Sequence, residues 1–154
     1  MSVATDNMAP SNSEESSDLT PNSLLKSARE GNVELLKKVI ELQKTEPAQS
    51  KFDLNFKDTP QHNGVAALHY AAFNGYFDYL KLLLEQGAEV DVTDLESATP
   101  LHHAAFSGHI ECVKALLDAG ANPDHRDSEG CTPLHKASQC FHHCVLTFEG
   151  GLYR

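Results

Sequence analysis

The chain has 154 residues, 40% of them apolar, which suffices for one ordinary domain with a core and argues against a second. Its formal charge of -10, without any cluster of Lys and Arg, sets nucleic acid aside as a partner, because that affinity rests on basic groups displacing phosphate counterions. No run approaches the roughly 20 apolar residues of a membrane helix, the first residues lack the basic and then greasy pattern of a secretory signal, and the four cysteines are not spaced as a disulfide framework. These features predict an intracellular protein, cytoplasmic or nuclear, with no membrane partner and with its thiols reduced.

Residues 1–22 hold Asp6, Glu14, Glu15 and Asp18 without a balancing Lys or Arg, and only Val3, Met8 and Leu19 are sizeable apolar side chains. Such a segment buries too little surface to offset the entropy of ordering, so it reads as a disordered acidic tail. Ser11, Ser13, Ser16 and Ser17 stand among its carboxylates, a setting suited to acid-directed kinases. A solvated spacer is the simpler reading.

From residue 23 onward the chain repeats itself. A first helical pair is expected over 23–58, where Leu24, Ala28, Gly31, Leu36, Val39 and Ile40 recur in the same order and spacing as Leu68, Ala72, Gly75, Leu80, Leu83 and Leu84. Lys26, Arg29, Glu30, Glu34, Lys37 and Lys38 cover its remaining surface, as an end unit requires. Two closer copies follow over 64–93 and 97–126, aligned without a gap so that Leu68 falls on Leu101, Gly75 on Gly108 and Gly87 on Gly120, and a partial copy spans 130–139. The step from the first pair to the second is longer than the step between these copies. Its excess divides into a larger insertion near Gln43 to Asp53 and a smaller one between Asp58 and Gly64.

Within the unit, Thr99 is placed to cap a helix whose first residue is Pro100. Leu101, Ala104 and Ala105 then form one narrow face, and the alanines let a neighbouring helix come close. Ile110, Val113, Leu116 and Leu117 form the stripe of a second helix, which Gly120 ends, and Asp127 to Gly130 reads as a turn. Helices this short are marginal alone and must bury their stripes against the next pair.

The segments Thr99 to His102 and Thr132 to His135, both Thr-Pro-Leu-His, together with Gly108-His109 and the Gly-Ala pairs at Gly87 and Gly120, closely resemble ankyrin repeats. The resemblance implies an all-α ankyrin-repeat solenoid, stacked helix-turn-helix units joined by β-turns, and a monomer that binds one or more proteins as an adaptor or inhibitor. Another reading makes the region the recognition arm of a longer enzyme or channel. Past Cys140 the pattern fails, since the same offset puts Phe141 at the glycine position, Glu149 at that of Leu116 and Gly150 at that of Leu117. Residues 140–154 are therefore expected to be a non-repeat tail, and the stripe of the preceding unit to lack a proper neighbour.

Most of the chemistry in the sequence has a structural explanation. The resemblance implies that His69, His102 and His135, at one repeat position, bond the turn and the neighbouring repeat, and that His109 occupies its Gly-His turn for a similar reason. In the tail a helix would set Cys140, His143 and Cys144 on one face, three zinc ligands without an evident fourth, so a further alternative to the adaptor is a zinc-dependent regulator acting through this tail. No nucleophile elbow, phosphate cradle or His-Glu-x-x-His is present, so no catalytic residue and no cofactor is expected.

Ankyrin proteins typically bind along the concave face made by the turns and the first helices. The positions there that the core does not specify are Thr93, Leu95, Glu96 and Ala98 in one turn, and Arg126, Ser128, Glu129 and Cys131 in the next. On the helices they are Phe73, Asn74, Phe106 and Ser107. Phe73 and Phe106 hold the same position in successive units and should stand side by side, either as aromatic anchors for a partner or as packing over the loops.

Overall fold

The computed structural model describes residues 20–45 and 53–139. Its helices are α1 (Pro21–Glu30), α2 (Val33–Thr45), α3 (Ala67–Asn74), α4 (Phe77–Glu85), α5 (Pro100–Ser107) and α6 (Ile110–Asp118), and residues 133–139 are helical again as α7. Helices pair as hairpins in chain order, and the hairpins stack through α1, α3 and α5. No named strand occurs among the described residues, where Lys57 and Ala66 form an isolated antiparallel bridge.

The small residues of the repeat explain the stacking. Ala28, Ala71, Ala72 and Ala104 are fully buried where the first helices meet, so their backbones come close, while Leu24, Leu68 and Leu101 fill the space between hairpins. From the outer helices Leu36, Tyr79, Leu80, Leu83 and Leu116 point into the same core. The outer helices pack less tightly, and a groove of about 720 Å³ opens between α4 and α6, lined by Phe77, Lys81, Leu84, Glu111 and Lys114.

Several sequence expectations change in detail. Helix α1 begins at Pro21 rather than at residue 23, because Pro at the first helical position needs no hydrogen bond for its missing N–H. Part of the expected larger insertion lengthens α2 to 13 residues, against nine in α4 and α6. The smaller insertion, before Gly64, forms a single 3₁₀ turn, Pro60–His62. All six charged residues expected on the surface of the first hairpin are exposed.

At the other end, Ala105 is half-buried rather than closed under a neighbour, and Ile110 and Leu134 are 67% and 77% exposed. With Leu101, Val113, Leu117 and Pro133 they line an apolar groove of about 330 Å³. The expected acidic tail up to Leu19, the expected non-repeat tail and its Cys140, His143 and Cys144 lie outside the described residues.

Candidate functional site

Three buried carboxylates, Asp58, Asp94 and Asp127, shape the inner turns. Each closes its loop through its own backbone N–H, to Val65 O at 2.9 Å, Ala98 O at 3.0 Å and Cys131 O at 3.0 Å. The carboxylates also accept loop N–H bonds: Asp94 from Glu96 and Ala98, both at 2.9 Å, and Asp127 from Glu129 at 3.0 Å and Cys131 at 2.9 Å. Neighbouring loops are tied by backbone bonds, Leu95 N–H to Asn63 O at 3.0 Å and Ser128 N–H to Glu96 O at 2.8 Å.

Each carboxylate also takes a side chain from the helix that follows. Tyr70 donates to Asp58 at 2.8 Å, His103 Nε2 to Asp94 at 3.0 Å, and Lys136 Nζ lies 3.0 Å from Asp127. Tyr70, His103 and Lys136 occupy one position of three successive units. Burial acts to raise the pKa of Asp94, yet the bonds from His103 and the Ala98 N–H outweigh it and hold the carboxyl below its ordinary value. Asp127 is lowered in the same way, by Lys136 and the Cys131 N–H against burial. Asp58 is lowered too, as the Thr59 N–H, Tyr70 and Arg29 overcome burial.

The repeat histidines do what the resemblance implied. His69 Nδ1 accepts the Ala66 N–H at 3.0 Å, and its Nε2 donates to Ala98 O, in the next unit, at 3.1 Å. A backbone N–H only donates and a carbonyl only accepts, so the ring is neutral with its proton on Nε2. Burial, and then the nearby His103, lowers its pKa to about 4, which keeps it so. His102 repeats the pattern, from the Thr99 N–H at 3.2 Å to Cys131 O at 3.0 Å. The Thr99 hydroxyl lies 2.9 Å from the same His102 Nδ1, so one ring nitrogen serves both the hydroxyl and the N–H of the residue that precedes the helix. His135 keeps the local half, with Thr132, and has no neighbouring carbonyl among the described residues.

On this scaffold a groove of about 220 Å³ opens on the inner face, lined by Phe73, Glu96, Ala98, His102, His103, Phe106, Asp127, Lys136 and Gln139. Phe73 and Phe106 lie in the last turns of α3 and α5 and are 46% and 45% exposed. Their rings do not pair with each other: the ring against Phe73 is His103, edge-on with centroids 6.1 Å apart. Among the described residues no ion pair engages the exposed carboxylate of Glu96.

The other expected contact residues lie around this groove with more local duties. Leu95 is 62% exposed, and its side chain also covers Gly64. Asn74 donates to Tyr70 O at 3.0 Å, and Arg126 to Gly130 O at 3.1 Å within its own turn. Glu129 holds Lys136 at 2.6 Å, and the exposed Ser128 ties neighbouring loops through its N–H. Thr93 and Ser107 are half-buried, Ala98 is buried, and the carbonyl of the half-buried Cys131 receives His102. The residues not anticipated are His103, Lys136 and Gln139. Their signal was the one repeat position shared by Tyr70, His103 and Lys136, which changes identity from unit to unit while its neighbours hold.

His69, Asp94 and His103 bring potential ligand atoms within 4.8 Å of one another, but both nitrogens of His69 are engaged by backbone groups, which leaves it no lone pair for a cation. Among the described residues no helix is long and apolar enough to cross a membrane. A family model described as ankyrin repeats, in three copies, matches residues 7–94 and 68–148. Comparison with curated proteins gives no match.

Proposed function

This chain belongs to the ankyrin-repeat family, whose members are generally protein–protein interaction modules, and from that premise we propose that it holds a partner protein in the groove of its inner face, as an adaptor or inhibitor. The observation that carries this reading is the pair Phe73 and Phe106. Two large aromatic side chains stay about half exposed at equivalent positions of adjacent helices, while Leu68, Ala72, Leu101 and Ala104 of the same helices are buried. Aromatic groups with buried support are the usual centres of binding energy in interfaces. The mechanism is steric occupation: the partner surface covered here is withheld from other ligands, and no bond is made or broken. Glu96, Leu95, Arg126, Ser128 and Glu129 would form the rim, with Thr93, Asn74 and Ser107 outside the aromatic centre. The free thiols Cys112 and Cys131 suit a reducing setting, cytoplasmic or nuclear.

Affinity capture from cell extract tests the reading. The intact chain should retain a partner that Phe73→Ser with Phe106→Ser loses, while Lys81→Glu on the outer groove retains it. Loss with the outer variant alone would move the interface to the other side of the stack.

A further inference from the structure

Resting on that reading, we infer that the groove is built for a basic segment: the partner inserts an arginine side chain against the exposed phenyl rings, and Glu96 supplies the countercharge. Three observations lead there. The first is electrostatic. Around the groove stand four carboxylates, Asp94, Glu96, Asp127 and Glu129, against one ammonium, Lys136, and one guanidinium, Arg126, which bonds Gly130 O in its own turn. That ammonium is already bracketed by Asp127 at 3.0 Å and Glu129 at 2.6 Å. The whole chain carries -10. The potential in the groove is therefore negative, which steers cations toward it.

The second observation concerns what an uncharged occupant would do. Two phenyl rings alone would accept an aliphatic knob. Covering the groove in that way would strip water from the Glu96 carboxylate and give it nothing in return, an unfavourable burial. An occupant with its own positive charge removes the conflict. Arginine suits the place better than lysine, because a flat guanidinium stacks on an aromatic face and still donates to a carboxylate at its edge.

The third observation is internal to the protein. At the first hairpin the same face shows this arrangement completed within the chain. The Arg29 guanidinium lies 5.5 Å from the centroid of the Tyr70 ring and donates to the carboxylate of Asp58. Arg29, Phe73 and Phe106 occupy one position of the unit, each two places before the glycine that ends its helix: Gly31, Gly75 and Gly108. In the later units phenyl rings take the place of Arg29, and the places of Tyr70 and Asp58 hold the pairs His103–Asp94 and Lys136–Asp127; among the described residues, the rings and the Glu96 carboxylate stand there without a guanidinium of the chain between them.

The test uses the full chain and a displayed library of random peptides, selected on the intact protein and counter-selected on the Phe73→Ser, Phe106→Ser variant. Enriched peptides should carry Arg, less often Lys, beside apolar residues. Their synthetic forms should bind about tenfold more weakly to Glu96→Gln, and weaken further as salt rises. Replacing the peptide's Arg with Ala should cause a similar loss, and Glu96→Lys should turn the selection toward acidic sequences. Peptides that depend on the two phenyl rings yet lack a basic residue, or bind Glu96→Gln unchanged, would overturn this inference and leave the inner-face reading standing. A selection in which no peptide depends on the rings would overturn both.

Discussion

At the scale of single residues, the imidazole of His69 shows how one side chain joins two units and makes their union depend on pH. Folding takes its pKa from the ordinary 6.5 to about 4, through burial first and the neighbouring His103 second. Between those values the unfolded chain binds a proton that the folded chain refuses, so stability rises with pH across the window. The contribution is complete above about pH 7 and is lost as the pH falls, by roughly 3 kcal/mol near pH 4. His102, lowered by burial against the pull of the Cys131 carbonyl, adds in the same direction. The lowered carboxyls of Asp58, Asp94 and Asp127 act in a more acidic range, since their ordinary value is 3.8. Urea unfolding at about pH 7 and about pH 4.5 should therefore show a clear loss for the native chain and a flatter dependence for His69→Gln. Equal slopes for both chains would show that the ring does not carry the effect.

At the scale of elements, consecutive hairpins meet ring on glycine. A Cβ at Gly31 would stand 2.8 Å from the ring of Tyr76, and one at Gly75 would stand 2.6 Å from His109 Nδ1. His109 Nε2 also donates to Phe73 O at 3.1 Å. Gly108 has a similar backbone angle, φ 75°, but nothing within 4 Å of its Cβ position. All three alanine substitutions strain the left-handed backbone, by about 1 kcal/mol. At Gly31 and Gly75 the neighbouring ring must also move, so Gly31→Ala and Gly75→Ala should lose about 2–4 kcal/mol while Gly108→Ala loses about 1 kcal/mol. Thermal and urea melts of the three chains measure the order, and equal losses would mean that the rings yield freely.

These contacts also mark how far the sequence could be read. Thr-Pro-Leu-His and Gly-His recur at a fixed period, so the hairpins, the histidine links and the exposed charges of the first unit were legible from spacing and the resemblance it carries. The start of α1 was not, because Pro21 sits beside a polar tail whose composition hides its use as a first helical residue. The floor of the groove was hidden too. Tyr70, His103 and Lys136 share no chemistry as a set, and only the fold shows that each answers a buried aspartate. Nor could spacing tell that His103, rather than Phe106, would stand against Phe73, since that depends on side-chain direction across two helices.

At the scale of the molecule, the stack divides its surface into parts with separate duties. Fully buried Leu24, Leu68, Leu80, Leu83 and Leu101 hold the hairpins together, while the side chains of Phe73 and Phe106 stay about half exposed. Among the described residues, the apolar groove around Ile110 and Leu134 lies at the far end of the stack from the charged first hairpin. The proposal that a partner binds the inner row rests on aromatic groups that are exposed and evenly repeated, beside loops locked by buried aspartates. The claim on which this account turns is that Phe73 and Phe106 serve binding and contribute little to folding. Urea unfolding of the chain carrying Phe73→Ala and Phe106→Ala tests it directly. The expected loss is no more than about 1 kcal/mol, the scale of a surface change, whereas a loss of about 3–5 kcal/mol for each ring, as for phenylalanines removed from a core, would contradict that role.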